Sequence, residues 1–362
     1  MDRKILENLC YLNWDIYKSP ELRALLQNYA IVKYSSFILS IITCIIGLPA
    51  NIIVIFVTGF LMKKNKYKIW FLNLALADFT FLLIQPFYAV SFLKGWPYGS
   101  SLCKLYFFIT FLNMYAGIYI LIALNIDRAL SVAKPIWHKM FLSKKFCWSV
   151  CAAIWVSSAI CSIPVIIYSD VQGPSEYGHC FLSFNHHHHY KSVESSSNYS
   201  LVSALLPVQR DLCRNISNNI EMSAEVESAI AKWKDEPFVI LHLIVPYVVF
   251  GYIIPLCVIL FSNIIIAFHV KNLKMAATSR LYRVVIVAIM GFFCVRTPFV
   301  CACIIYWVYL HTLQFTLAYK LYLFYQLLYY ISFTNSLLNP VVYVLVGKQV
   351  KSELMNFLRK TW

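Results

Sequence analysis

Seven long apolar runs, broken by short polar stretches, organise this chain. They lie at about Ile31–Leu61, Lys68–Leu93, Leu102–Ala133, Phe146–Tyr168, Phe238–Val270, Val284–Leu310 and Leu321–Val346. An α-helix needs about 20 apolar residues to cross a bilayer. Each run reaches that length, and the longer ones imply tilt or extension past the hydrocarbon. Strands of a membrane barrel would alternate in hydropathy over about 10 residues, which these runs do not do. The pattern predicts an all-α membrane protein, a bundle of seven transmembrane helices over 31–346. A tail over 1–30 precedes it, and a short amphipathic eighth helix with its tail follows over 347–362. The one long connection, 169–236, joins spans four and five.

Composition points the same way. Hydrophobic residues make up 60% of the chain and charged residues only 13%, with a mean hydropathy of +0.67. A soluble domain carries about a quarter charged residues, so this chain has too little polar surface to cover itself in water. The start, MDRKILENLCYLNWDIYKSP, has no apolar core of its own; no cleavable signal is expected there, and span one serves as the insertion signal.

Charge then sets the orientation. Lysine and arginine crowd the connections 62–67, 134–145 and 271–283 and the tail from 347, whereas 13 of the 16 acids fall in the N-terminal tail or between Asp170 and Glu236. Positive residues stay on the cytoplasmic side, which puts the N-terminus outside and the C-terminus in the cytosol. The net charge of +15 is largely this collar, suited to anionic lipid headgroups; nucleic acid is a poor reading of it.

Most of the twelve cysteines sit inside spans, where a thiol behaves as a small apolar group. Cys10, Cys103, Cys180 and Cys213 fall outside or at the outer rim, where the medium permits disulfides. The long loop is polar and holds two glycosylation sequons, at Asn198 and Asn215. Its stretch EMSAEVESAIAKW has the pattern of a short helix, and His186–His189 reads as a polar tract rather than a metal site.

Two acids lie in or at the edge of spans. Asp78, in LNLALADF, is mid-span, with Asn51, Asn113, Asn335, Ser336 and Asn339 as polar positions on other spans. Such a ring suits a sodium ion, since hard cations want oxygen ligands. The same groups also suit an interhelical hydrogen-bond network with no ion. Asp127 adjoins Arg128 at the cytoplasmic end of span three. An acid–base pair there can hold one conformation until a partner competes for the arginine, or the two side chains reach water independently. Prolines at depth (Pro49, Pro86, Pro164, Pro255, Pro298 and Pro340) each remove a backbone hydrogen bond and loosen a helix. Arg296 is the one formal charge in its run, at a cost of a few kcal/mol or more.

Taken in order, GLPANIIV, LNLALADF, DRA, Trp155, Pro255, TPF and NPVVY resemble the rhodopsin-like G-protein-coupled receptors over about residues 35–355. WPYG, KPIWHK and NPVVYVLVGKQVKSEL resemble the chemoattractant branch. Its complement anaphylatoxin receptors are the most alike and its formyl peptide receptors next. The resemblance implies a Cys103–Cys180 disulfide. It also implies a sodium pocket at Asp78, Asn113, Asn335 and Asn339, with Gly117 where a serine is usual. Arg128 would leave Asp127 to meet a heterotrimeric G protein of the inhibitory type, with Tyr343 as its active-state partner. The implied ligand is an extracellular chemoattractant peptide or anaphylatoxin-like protein at the plasma membrane. Tyr115, Tyr247, Arg296 and Tyr329 are candidate contacts by depth and helix, and Tyr177 is a candidate for sulfation.

The departures matter as much. Ala129 follows Arg128 where the family has an aromatic or cysteine, Tyr247 replaces an arginine of the relatives, and Arg296 stands where the family has a tryptophan. No cysteine follows Cys303 to carry a palmitoyl anchor, and the tail offers only Ser352 and Thr361 for phosphorylation. No lysine lies between Lys320 and Lys348, which excludes a retinal-binding opsin, and no nucleophile–base set suggests an enzyme. A ligand-binding decoy that couples poorly, or a receptor of this class for a small anionic ligand, are the alternatives. Three accounts of Arg296 stay open: a contact to an anionic ligand group, an internal pair with Asp78 or nearby amides that locks one state, or the mark of a receptor losing its signalling.

Overall fold

The computed structural model describes residues 20–62, 68–172, 178–182, 241–273 and 278–345, with tail residues 352, 355–357 and 359. Cys10, Tyr177, His186–His189, Asn198, Cys213, Asn215 and the stretch 221–233 lie outside the described residues, as does the side chain of Tyr343.

Helix α1 (Pro20–Phe56) runs into a π-helical turn, Val57–Leu61. It begins well before the apolar run, because the polar stretch from Pro20 continues the same helix outward. Helices α2 (Lys68–Lys94) and α3 (Gly99–Ala133) follow, then a short loop helix α4 (Pro135–Phe141) and α5 (Lys144–Tyr168). Strands β1 (Ser169–Gln172) and β2 (His179–Leu182) pair antiparallel, with Val171 opposite Cys180. Residues 241–248 are helical, a second π turn spans Val249–Ile253, and α6 (Ile254–Leu273) continues the span. Helix α7 (Thr278–His311) forms span six. Span seven is two helices, α8 (Phe315–Phe333) and α9 (Asn335–Leu345), parted at Thr334.

Six of these helices are long and apolar enough to cross a membrane among the described residues, and α8 with α9 completes the seven-helix bundle. The outward faces are apolar: Ile38, Ile42 and Ile45 on α1, Val156, Ile160 and Ile163 on α5, and Phe261, Ile264 and Phe268 on α6 are all exposed. In water such stripes would be a liability; against lipid they are the expected surface. The core lies around α2 and α3, where Leu74, Ala77, Ile118, Leu121 and Leu124 are buried. Helix α3 is the central rod, packed against α2, α5 and α6.

At the outer rim the turn from α2 to α3 uses Gly95 and Gly99 at positive φ (88° and 75°), a backbone region that L side chains rarely adopt. Trp96 between them is buried, and its indole donates to the Gly99 carbonyl at 2.8 Å. A disulfide joins Cys103 on α3 to Cys180 on β2, and the Ser100 hydroxyl donates to Asp170 at 2.5 Å. The hairpin is thereby fixed to the head of α3. Beside it, burial and then the positive charge of Lys33 hold the His179 imidazole below its ordinary pKa. At the inner end, Phe357 of the helical tail packs edge-on against Phe56 at 5.4 Å.

Candidate functional site

Buried polar groups fall in three layers, and α3 contributes to each. In the outer layer the candidate contacts Tyr115, Tyr247 and Tyr329 come together in an aromatic cluster with Met114, Phe299 and Cys303. Tyr106 extends it: its ring stacks on Tyr88 at 4.2 Å, and its hydroxyl donates to Gln85 at 3.0 Å and lies 2.9 Å from that of Tyr329. The Gln85 amide donates in turn to Ser40, so α1, α2, α3 and α8 share one chain of hydrogen bonds.

Arg296 lies at the floor of this cluster, only 3% exposed. Its guanidinium carbon is 5.0 Å from the Phe292 ring centre and 5.8 Å from that of Phe333. Ring faces attract such a cation, more strongly when it is desolvated. Arg296 Nε and Tyr247 Oη are both buried without a hydrogen-bond partner. No carboxylate comes within ion-pair distance of Arg296 among the described residues. The internal pair with Asp78 is therefore not a direct one.

The middle layer is Asp78, 2% exposed. Its Oδ1 accepts from the Ser336 hydroxyl at 2.8 Å and the Asn113 amide at 3.2 Å, and its Oδ2 accepts from the Asn339 amide at 2.9 Å. Three of the five partners read from sequence thus meet the carboxylate. Asn51 acts one bond away, donating to the Gly47 and Ser336 carbonyls. Asn335 is buried with its side-chain oxygen unpartnered. The seventh span parts at Thr334, just before these residues, which turns Ser336 and Asn339 toward α2.

The inner layer is Asp127, fully buried. Its Oδ1 lies 2.7 Å from His138 Nε2, and its Oδ2 accepts from the Trp70 indole at 3.2 Å. Arg128 is buried beside it. Sequence reading paired Asp127 with Arg128 and missed both Trp70 and His138. His138 was within reach of inference: Pro135 starts a helix well at its first position, and one turn later that helix presents His138 to α3. Trp70 carried no signal, being one more aromatic in an apolar run.

The sequence and this geometry together define a seven-helix membrane bundle. The family model for the 7 transmembrane receptor (rhodopsin family) matches residues 50–210, somewhat under half of the chain. Among its relatives is the C3a anaphylatoxin chemotactic receptor of Rattus norvegicus, 40% identical over 153 residues; that stretch is 42% of this chain but only 32% of the relative. The C3a anaphylatoxin chemotactic receptor of Oncorhynchus mykiss is 25% identical over 361 residues, covering 97% of this chain and 84% of the relative. N-formyl peptide receptor 3 of Gorilla gorilla gorilla is 27% identical over 321 residues, covering 88% and 81%.

Proposed function

We propose that this chain is a plasma-membrane receptor, N-terminus outside, for an extracellular chemoattractant peptide or anaphylatoxin-like protein. It signals through a heterotrimeric G protein of the inhibitory type. The observation that carries the reading is the order of buried polar groups along one helix: Tyr106, Asn113, Tyr115, Asp127 and Arg128 all belong to α3. A ligand that displaces the outer aromatic cluster acts on the same rod whose inner end holds Asp127. The named relatives support the ligand class.

In this reading the tail 1–30 and the loop 169–236, with glycans at Asn198 and Asn215, meet the ligand. Tyr115, Tyr247, Arg296 and Tyr329 line the floor beneath it. Arg128, Asp127 and Tyr343 form the switch to the G protein, and the helix and tail 347–362 lie on the cytoplasmic headgroups. Suppression of cyclic AMP synthesis by a panel of chemoattractant peptides, in cells expressing the chain, tests it; no response to any would overturn the ligand class. A second reading, a decoy that binds ligand but couples poorly, is favoured by Arg296 in place of a tryptophan and by Ala129. Saturable binding with no G-protein response would select it.

A further inference from the structure

Asp78 and Arg296 are the two formal charges buried in the middle of the bundle among the described residues; Asp127, Arg128 and His138, the other buried charged or titratable side chains, sit at its inner end. One is an anion and the other a cation. Arg296 rests over Phe333, Phe333 stacks on Phe81 at 4.6 Å, and Phe81 follows Asp78 by one turn of α2. Two stacked rings thus connect the guanidinium to the turn of α2 that carries the Asp78 carboxylate, and the two charges form no direct ion pair.

The family resemblance implies a sodium ion at Asp78, and the residues present fit it poorly. A sodium ion needs oxygens turned toward it. Around Asp78, Ser336, Asn113 and Asn339 turn O–H and N–H donors inward instead, and between them they engage both carboxylate oxygens. Position 117 brings no hydroxyl: it is glycine, and the atom nearest a Cβ there is Leu74 Cδ1 at 3.7 Å. Asn51, Asn335 and Asn339 do keep unpartnered side-chain oxygens, which a buried water satisfies as well as an ion does. The decisive feature is the fixed guanidinium. Two cations in one weakly screened layer repel each other, and Arg296 cannot diffuse away.

We propose that Arg296 is the permanent counter-ion of the Asp78 network, a cation built into α7 in the place of a mobile sodium ion, so that the receptor's conformational equilibrium is indifferent to sodium. The inference rests on the two charges and their neighbours and holds whichever ligand the receptor takes. It has a mechanical corollary. A diffusible ion lets the helices part once it leaves, whereas a counter-charge carried by α7 resists any movement of α7 away from α2 and α9.

The test uses the purified full chain in lipid nanodiscs, with thermal unfolding followed as sodium chloride is exchanged for choline chloride at constant ionic strength. The wild type is expected to show no sodium-specific shift. Arg296→Gln is expected to acquire sodium-specific stabilisation of a few degrees, the response to a ligand that binds only the folded state, and Asp78→Asn in that background removes it. Arg296→Lys, which keeps the charge, stays indifferent. A sodium-specific shift in the wild type that Asp78→Asn abolishes would overturn the proposal. If Arg296→Gln does not fold, the wild type and Arg296→Lys decide alone: indifference in both supports the proposal, and a sodium response in either overturns it.

Discussion

Asp78, midway through the bundle, is held by three neutral side chains from α3 and α9, whereas Asp127, at its inner end, is held by an imidazole and an indole. Both carboxylates are buried to nearly the same degree. The partners of Asp78 sit on transmembrane helices and cannot leave without unpacking the core. The nearer partner of Asp127 sits on α4, seven residues long, whose other side chains Ile136, Trp137, Met140 and Phe141 are exposed. Equal burial therefore hides unequal permanence: one acid is caged, the other is clasped.

The largest effect is expected from Asp78→Ala. It leaves three buried donors without an acceptor, at roughly 1–3 kcal/mol for each unsatisfied group, and a drop of many degrees in the unfolding midpoint of the purified protein should register it. Asp78→Asn, which keeps an oxygen for the same donors, should lose less than half as much.

His138→Ala comes next and should act on signalling more than on folding. Losing a hydrogen bond to a charged group costs about 1.5 kcal/mol, or about tenfold in the resting equilibrium. Ligand-free nucleotide exchange on the G protein should rise accordingly, and His138→Asn, which retains a donor, should reverse most of the rise. If His138→Ala instead lowers stability as far as Asp78→Ala with basal exchange unchanged, both acids are structural and the comparison fails.

Trp70→Phe keeps the ring and removes the longer of the two bonds, so a two- to threefold rise in basal exchange, about 0.5 kcal/mol, is expected. The smallest effect should come from Gly117→Ser. The site admits a Cβ at ordinary contact distance, and replacing glycine within a helix gains about 0.5 kcal/mol. The midpoint should rise by a degree or two.

The helices were legible because lipid leaves one signal, apolar length, and seven such runs can be counted. Asp78 was legible because a carboxylate at that depth needs partners, and polar residues on other spans are few. Asn113, Ser336 and Asn339 stood out for that reason. The Asp127 site was half legible. The acid and its arginine are adjacent in sequence, but His138 looks like a solvated loop residue until α4 docks, and an indole donor in a run of aromatics looks like core. Arg296 announced itself by its cost, yet its guanidinium proved to lie over the rings of Phe292 and Phe333, which sequence cannot rank above an acid. The break at Thr334 left no trace, since threonine is ordinary within a span, and the glycine that each π turn carries, Gly59 and Gly251, marks an irregular turn without saying which kind.

The π turn at Val249–Ile253 winds one residue more into its coil than an α-helix would. Were it to relax, the helix above it would advance like a screw, by about 100° and about 1.5 Å for the residue released. Tyr247 lies on the part that would turn. The Phe250 carbonyl within the turn is held by the Tyr119 hydroxyl of α3 at 3.1 Å, and the Tyr252 hydroxyl lies 2.6 Å from that of Thr297 on α7. Span five is thus a wound thread with two catches, one on the central rod and one a single residue from Arg296.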